Sequence, residues 1–360
     1  MESFNADIHW LPAHPAHGSM SMWKYWYMLE AVKEGDDAYQ PKSIFGDAQN
    51  VQLARGSRLA RGLTRKVSYP FNIMRSIQGG VVHILDHGWT ELVDYLPKGV
   101  KTVVTVHDLI PLRYPGDLST SELDRFKVRV AKLKSVDAII AVSEYTKNEI
   151  MEILGISSER IFVVPNGVNA PKCVIAKERA EGEMLRVGSL GSILKRKNLE
   201  ILAPALEAYK EGGDHDVKLM RAGKPLGLSL KRELLKVLGE EGLEEWGVVS
   251  ESELESFYQN IDVMVVPSLY EGFGLPVLEA MARGIPVICA DATSLPEVGG
   301  EAALYFDAKS PEALAKCLRE LDRPSRYKQL QSDGLLRSQQ FSWRKTLEGN
   351  YAVYDKVNNW

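Results

Sequence analysis

Two glutamates, Glu271 and Glu279, flank seven residues in the stretch SLYEGFGLPVLEAMARGIPV, residues 268–287. The first lies in a glycine-rich loop ahead of Pro276, a residue suited to the first position of a helix because its missing N–H is no loss there. Val277, Leu278, Ala280, Met281 and Ala282 make that helix apolar and mostly buried, so Glu279 is the only acid on it, in its first turn. Gly284 then ends the helix and Pro286 opens the next strand. Gly272 and Gly274 let the backbone come close to a ligand, and the helix start offers N–H groups to an anion. Amides that hold an anion, flanked by carboxylates that accept from hydroxyls, suit a sugar nucleotide, with phosphate in the middle and a hydroxyl-rich ring on either side. One early glutamate is equally well explained by the helix macrodipole. Two in this glycine pattern are not.

Phosphate needs cations. VGSLGSILKRKNLE (187–200) supplies a strand, a glycine-rich turn, and then Lys195, Arg196, Lys197 and Asn198 at a helix start. Three consecutive cations there oppose the macrodipole, and a bound anion would relieve the conflict; a surface basic cluster is the competing reading. A second basic stretch, residues 51–75, carries Arg55, Arg58, Arg61, Arg65, Lys66 and Arg75 with no acid. A helix would align Arg55, Arg58, Arg61 and Arg65 roughly on one side. Anionic lipid headgroups or an acidic acceptor fit such a face, and so does plain solvation.

The elements that must position these residues follow one rhythm. Apolar β-rich runs at 81–85, 102–106, 137–142 and 161–164 alternate with helical patterns at 121–135 and 145–154. A second series of runs at 217–222, 247–249, 262–266, 286–290 and 303–306 alternates with helices at 198–210, 229–240, 252–260, 276–283 and 311–320. Continuous apolar runs indicate strands covered on both faces, hence parallel sheets built from βα units. The rhythm breaks at NGVNAPKCVIAKERAEGE, near 166–184, and restarts at MLRVGSL. Two doubly wound α/β domains with a cleft between them are expected, with ligands beyond the carboxyl ends of the strands. A chain of 360 residues is comfortable for two domains.

Composition excludes several classes. A net charge of −4 gives no pull toward nucleic acid. No basic-then-apolar leader opens the chain, and no apolar run of about 18 residues could span a bilayer. Three scattered cysteines, Cys173, Cys289 and Cys317, form neither a disulfide framework nor a zinc pattern, which suits a reducing cytoplasm.

From about residue 81 to the end, the chain resembles the retaining glycosyltransferases of family 4, which have the two-domain GT-B fold. RKN after VGSL, SESELESFYQNIDVMVVPSLYEGFGLPVLEAMARGIPVICAD and SLPEVGGEAALYFD carry the resemblance in the second half. VVTVHDLIPLRYP, AIIAVSEYTKNEI and RIFVVPNGV carry it in the first, and FSWRKTLEGNYAVYDKV resembles the closing helix that crosses back onto the N-terminal domain. The resemblance implies an acceptor-binding domain over 1–170 with the crossing helix at 342–360, a linker over 171–184, and a donor-binding domain over 185–341.

It also implies roles. Glu271 would face hydroxyls of the transferred sugar and Glu279 the nucleotide's ribose. Arg196 and Lys197 would bind the donor diphosphate, with backbone amides around Phe273, Gly274 and Leu275 against the diphosphate or sugar. His107 would reach the donor sugar from the other domain. Gly18 and Ser19, in AHPAHGSMSMWKYW (13–26), would approach donor or acceptor before a helix at 21–33. Asp86 and His87 would line the acceptor side.

The activity implied is metal-independent transfer of a hexose, from GDP-mannose or UDP-glucose first of all, to a hydroxyl acceptor such as a lipid-linked sugar or a growing polysaccharide. No cofactor is expected beyond the donor, and peripheral contact with the inner membrane face is expected through 51–75. The alternatives are a catalytically silent sugar-nucleotide-binding subunit, or an epimerase or phosphorylase on the same fold. Asp214-His215-Asp216 matches a metal-binding Asp-x-Asp pattern, but it sits in a turn before a strand, the wrong end of a parallel sheet for a site. HPAH (14–17) and HILDH (83–87) lack full ligand sets.

Overall fold

The computed structural model describes residues 7–14, 20–33, 40–46, 57–169, 171, 173–175, 177–180, 182–211, 213 and 216–360. The chain divides into two compact units, Met1–Gly167 with Trp343–Trp360, and Val168–Ser342.

The first unit is a parallel sheet of β1 (Ile8–Leu11), β2 (Lys42–Ser43), β3 (Val81–Ile84), β4 (Lys101–Val106), β5 (Ala138–Ala141) and β6 (Ile161–Val163), in the order β2-β1-β3-β4-β5-β6. Its central strands are buried on both faces, which is why they read as unbroken apolar runs. Val82, Ile84, Val104, Val106 and Ile139 pack into one layer. Trp10, Val81, Val103 and Ile140 pack into the other, against the helix Met20–Lys33 and the final helix Trp343–Asn358.

A chain of polar contacts runs through that second layer. Trp10 Nε1 donates to the Tyr354 hydroxyl at 3.0 Å, which in turn meets His83 Nδ1 at 2.6 Å. The other ring nitrogen, Nε2, meets Thr105 Oγ1 at 2.7 Å, so both nitrogens of the buried ring have hydroxyl partners. Burial pushes the His83 pKa down to about 3, and the ring stays neutral between its two partners.

The second unit repeats the plan with β7 (Leu185–Gly191), β8 (Val217–Gly223), β9 (Leu243–Gly247), β10 (Val263–Val266), β11 (Val287–Ala290) and β12 (Leu304–Phe306), in the order β12-β11-β10-β7-β8-β9. Strand β9 departs from the expected run at 247–249. It is a half-buried edge of mixed residues, so it shows no apolar run, and Gly247 at φ +68° ends it where the apolar pair begins. The helix Pro324–Ser338 was not anticipated, because it is polar except for a narrow seam. Gly334 in that seam lets it lie close on Met281 of the helix Leu275–Ala282.

Two expected helices also differ. Lys195–Lys197 form a 3₁₀ turn closed by Asn198 in the left-handed region, and the α-helix starts only at Leu202. The basic stretch is a helix Arg58–Leu63, a π-turn Thr64–Ser68 and a helix Tyr69–Ser76. Arg65 does not join a shared solvated face. It bonds Glu91 and the Gly88 carbonyl and lies 4.0 Å over the Trp89 ring. Arg55 lies outside the described residues. No described helix is long and apolar enough to cross a membrane.

Candidate active site

In each sheet the chain leaves neighbouring strands toward opposite sides at one place, between β1 and β3 and between β7 and β10. Loops diverge there beyond the carboxyl ends and leave a crevice. In the second unit this crevice is made by the loops after β7, β10 and β11.

The loop after β7 is stitched to the loop after β10. Asn198, at φ +54°, ends the 3₁₀ turn so that its Nδ2 donates to the Pro267 carbonyl at 3.1 Å and the Ala308 carbonyl at 2.8 Å. The Leu269 N–H donates to the Arg196 carbonyl at 2.7 Å, and the Arg196 guanidinium to the Tyr270 carbonyl at 3.3 Å. The result is two cations fixed beside Glu271. Its Oε1 accepts from Lys197 Nζ at 2.5 Å and from Ser268 Oγ at 2.7 Å, while Arg196 lies 3.7 Å from Oε2. Glu271 is buried, at 9% exposure. An ammonium, a guanidinium and a hydroxyl around one carboxylate fix its orientation.

The loop after β11 fixes the backbone of the same segment. Thr293 Oγ1 accepts from the Glu271 N–H at 3.0 Å, and the Ser294 hydroxyl is shared between the carbonyls of Glu271 and Phe273, both at 2.9 Å. Thr293 sits at φ +53°. It and Asn198 are the non-glycine residues at positive φ among those described, and both belong to this crevice. A β-branched residue in that region is strained, and such strain gathers at functional sites.

Gly274, at φ +110°, starts the helix Leu275–Ala282, and a Cβ there would come within 2.9 Å of Leu295 Cδ2. Pro276 occupies the second helical place rather than the first. Glu279 therefore stands in the second turn, half-buried, with Oε2 accepting from the Tyr258 hydroxyl at 3.0 Å. Tyr258 is wholly buried, and burial first, the Glu279 charge second, pushes its pKa well above the usual phenol range. It remains a donor. Arg283 lies 4.4 Å over the Tyr258 ring and is held by Glu255 at 2.7 Å.

In the first unit, Asp86, His87 and His107 meet beyond β3 and β4. Asp86 Oδ1 accepts from the Gly88 N–H at 2.8 Å and lies 3.8 Å from His87 Nδ1, and that same nitrogen accepts from the His107 N–H at 3.4 Å. His107 Nε2 donates to the Leu85 carbonyl at 2.9 Å, and the edge of its ring packs on Tyr25. Burial lowers its pKa, with Asp86 raising it in part. His107 is thus a neutral imidazole whose Nδ1 keeps its lone pair. Gly18 and Ser19 lie outside the described residues, as do Asp214 and His215. Among the described residues no group of three or more His, Cys, Asp or Glu is placed to hold a metal ion.

Sequence reasoning did not single out Ser268, Tyr258, Thr293 or Ser294. The hydroxyl pair Thr293-Ser294 directly before Leu-Pro, at the foot of a strand, was the available signal. Its partners are main-chain groups some twenty residues away, which no local pattern reveals.

Two family models match the chain, one described as "Glycosyl transferases group 1" over residues 174–331 and one as "Glycosyltransferase Family 4" over 42–171. The serotype-specific mannosyltransferase WbdA of Escherichia coli is 29% identical over 274 residues, 68% of this chain and 32% of WbdA. The chain thus spans about a third of the length of that relative. The O-antigen chain mannosyltransferase B of Escherichia coli is 31% identical over 284 residues, 72% of either chain. Among solved structures, the sucrose-phosphate synthase of Thermosynechococcus elongatus superposes with a TM-score of 0.69 at 18% identity, over 98% of this chain and 99% of its own. That likeness shows a shared GT-B fold.

Proposed function

The chain belongs to the family 4 glycosyltransferases, and on that premise we propose that it is a retaining, metal-independent hexosyltransferase that takes a nucleoside diphosphate sugar as donor. The observation that carries this reading is the placing of Lys197 and Arg196 beside the buried Glu271, at the sheet's switch point and next to a helix start.

Breaking the bond between the anomeric carbon and the diphosphate oxygen builds positive charge on the sugar and negative charge on the leaving group. Arg196, Lys197 and the amides around Phe273, Gly274 and Leu275 are suited to stabilise that negative charge. The departing phosphate takes the proton of the acceptor hydroxyl as the acceptor oxygen bonds to the anomeric carbon on the same face, which gives retention. Glu271 positions sugar hydroxyls, Glu279 accepts from the ribose hydroxyls, and His107 is the proposed contact of the first unit to the sugar. The positive charge opposite the diphosphate comes from side chains, which is why no metal enters the reading.

The relatives named as mannosyltransferases favour GDP-mannose as donor, with UDP-glucose the other candidate. A lipid-linked sugar or a growing polysaccharide, met at the inner membrane face through residues 51–75, is the proposed acceptor setting. Incubation of wild type and Glu271→Ala with these donors and a hydroxyl acceptor tests the reading. Transfer, or slow donor hydrolysis, is expected in wild type and lost in the folded variant. Near-normal turnover in Glu271→Ala would refute the site assignment, and an epimer or free sugar phosphate would replace the reaction.

A further inference from the structure

Residues 58–76 present two apolar faces. Tyr69, Pro70 and Ile73, with Ile77 just beyond, are buried in the first unit's core. Facing away from it are Leu59, Leu63, Val67, Phe71 and Met74, exposed at 84, 60, 54, 57 and 54%. Their steps are four, four, four and three residues. In an unbroken α-helix each four-residue step drifts by about 40°. The wider i→i+5 turn at Thr64–Ser68 takes up that drift and keeps the five side chains on one side. Single exposed apolar residues need no explanation, but five in register on one element mark an interaction surface.

Cations border the stripe. A hollow of about 580 Å³ beside it is lined by four cations, Arg61, Arg65, Lys66 and Arg125, and by a single acid, Glu122. Arg65 is engaged by Glu91, and Glu122 accepts from the Ser119 N–H of its own helix start at 3.0 Å. Among the described residues, Arg61, Lys66 and Arg125 have no carboxylate partner, and the Arg61 Nε is buried without one of any kind. Residues 51–75 hold no acid, although the chain as a whole carries −4.

We propose that this segment is an in-plane anchor for a bilayer bearing anionic phospholipids. The apolar stripe enters the boundary between headgroups and acyl chains, and Arg61, Lys66 and Arg125 meet headgroup phosphates. A stripe alone would suit many partners. A stripe flanked by uncompensated cations matches a surface that is apolar within and anionic at its rim. This deepens the acceptor setting proposed above and rests on that reading only for its purpose. Vesicle binding is measured without turnover, so either can fail while the other stands.

The test is co-sedimentation of the full chain with vesicles of phosphatidylcholine alone or mixed with phosphatidylglycerol. Wild type should bind the mixed vesicles, less strongly as salt rises, and should bind neutral vesicles weakly or not at all. Val67→Ser with Phe71→Ser should abolish binding. Arg61→Ser with Lys66→Ser should weaken it about 30-fold. Because these side chains lie outside the core, near-UV circular dichroism and the nucleotide-induced thermal shift should stay at wild-type values. Absence of binding to both vesicle types, equal binding to both, or wild-type binding by either variant would overturn the proposal. So would a wild-type dimer in sedimentation equilibrium that the Val67→Ser, Phe71→Ser variant dissociates, since a second copy would then cover the stripe.

Discussion

Lys197 Nζ lies 2.5 Å from Glu271 Oε1, joining the loop after β7 to the loop after β10 across 74 positions of sequence. The ammonium proposed to face the leaving diphosphate also orients the carboxylate proposed to face the sugar. Donor binding and sugar positioning are therefore coupled through one side chain.

Lys197→Met removes both effects at once. Glu271 would keep Ser268 and the more distant Arg196 but lose its nearest cation, at an expected stability cost of about 1–3 kcal/mol. Thermal unfolding reads that cost. Nucleoside diphosphate affinity should also fall, by about tenfold or more, because a charge-assisted contact is gone. Calorimetric titration showing unchanged affinity would remove Lys197 from the diphosphate.

Tyr258→Phe removes the donor to Glu279 without altering ring packing under Arg283. The lost hydrogen bond to a charged group should cost about 1.5–3 kcal/mol of stability, and a Glu279 no longer held toward the ribose should raise donor KM with kcat little changed, as expected for binding used equally in ground and transition states. A fall in kcat at constant KM would place Glu279 at the chemistry instead.

Gly274→Ala tests the loop. At φ +110° an added Cβ is strained whatever its surroundings, and this one would press on Leu295. Loss of stability by more than about 1 kcal/mol and weakened diphosphate binding are expected together. Wild-type melting and affinity would show that the close approach is unimportant.

Acid should destabilise the first unit through His83. Its pKa falls from 6.5 to about 3 on folding, so below about 6.5 the unfolded chain binds a proton that the fold refuses. Stability is full above that value and is lost as pH falls, by about 2 kcal/mol near pH 5. The lowered pKa of His107 acts in the same direction. Urea midpoints between about pH 8 and pH 5 check this, and His83→Gln should flatten the slope.

Much of this architecture was legible because the strands are short apolar runs separated by helix-length segments, a pattern that a parallel sheet covered on both faces imposes. Glu271, Glu279 and Lys195–Lys197 stood out because carboxylates and cations beside glycines at strand ends are costly without a task. What stayed hidden depended on distant contacts. Strand β9 is an edge with no apolar run, and the 324–338 helix shows only a narrow seam. The Ser294 hydroxyl, bridging two carbonyls, has meaning only once three loops meet. The basic stretch misled in part, since Arg65 turns inward to Glu91 while the exposed apolar stripe, unnoticed among the arginines, faces out.

The most direct measurement is calorimetric titration of the chain with UDP, GDP and ADP, repeated on Arg196→Ala with Lys197→Ala and on His107→Ala. One nucleoside diphosphate should bind wild type and His107→Ala alike and lose its affinity in the double variant. Binding of none of the three, or undiminished binding after loss of both cations, would contradict the assignment of this crevice to the donor.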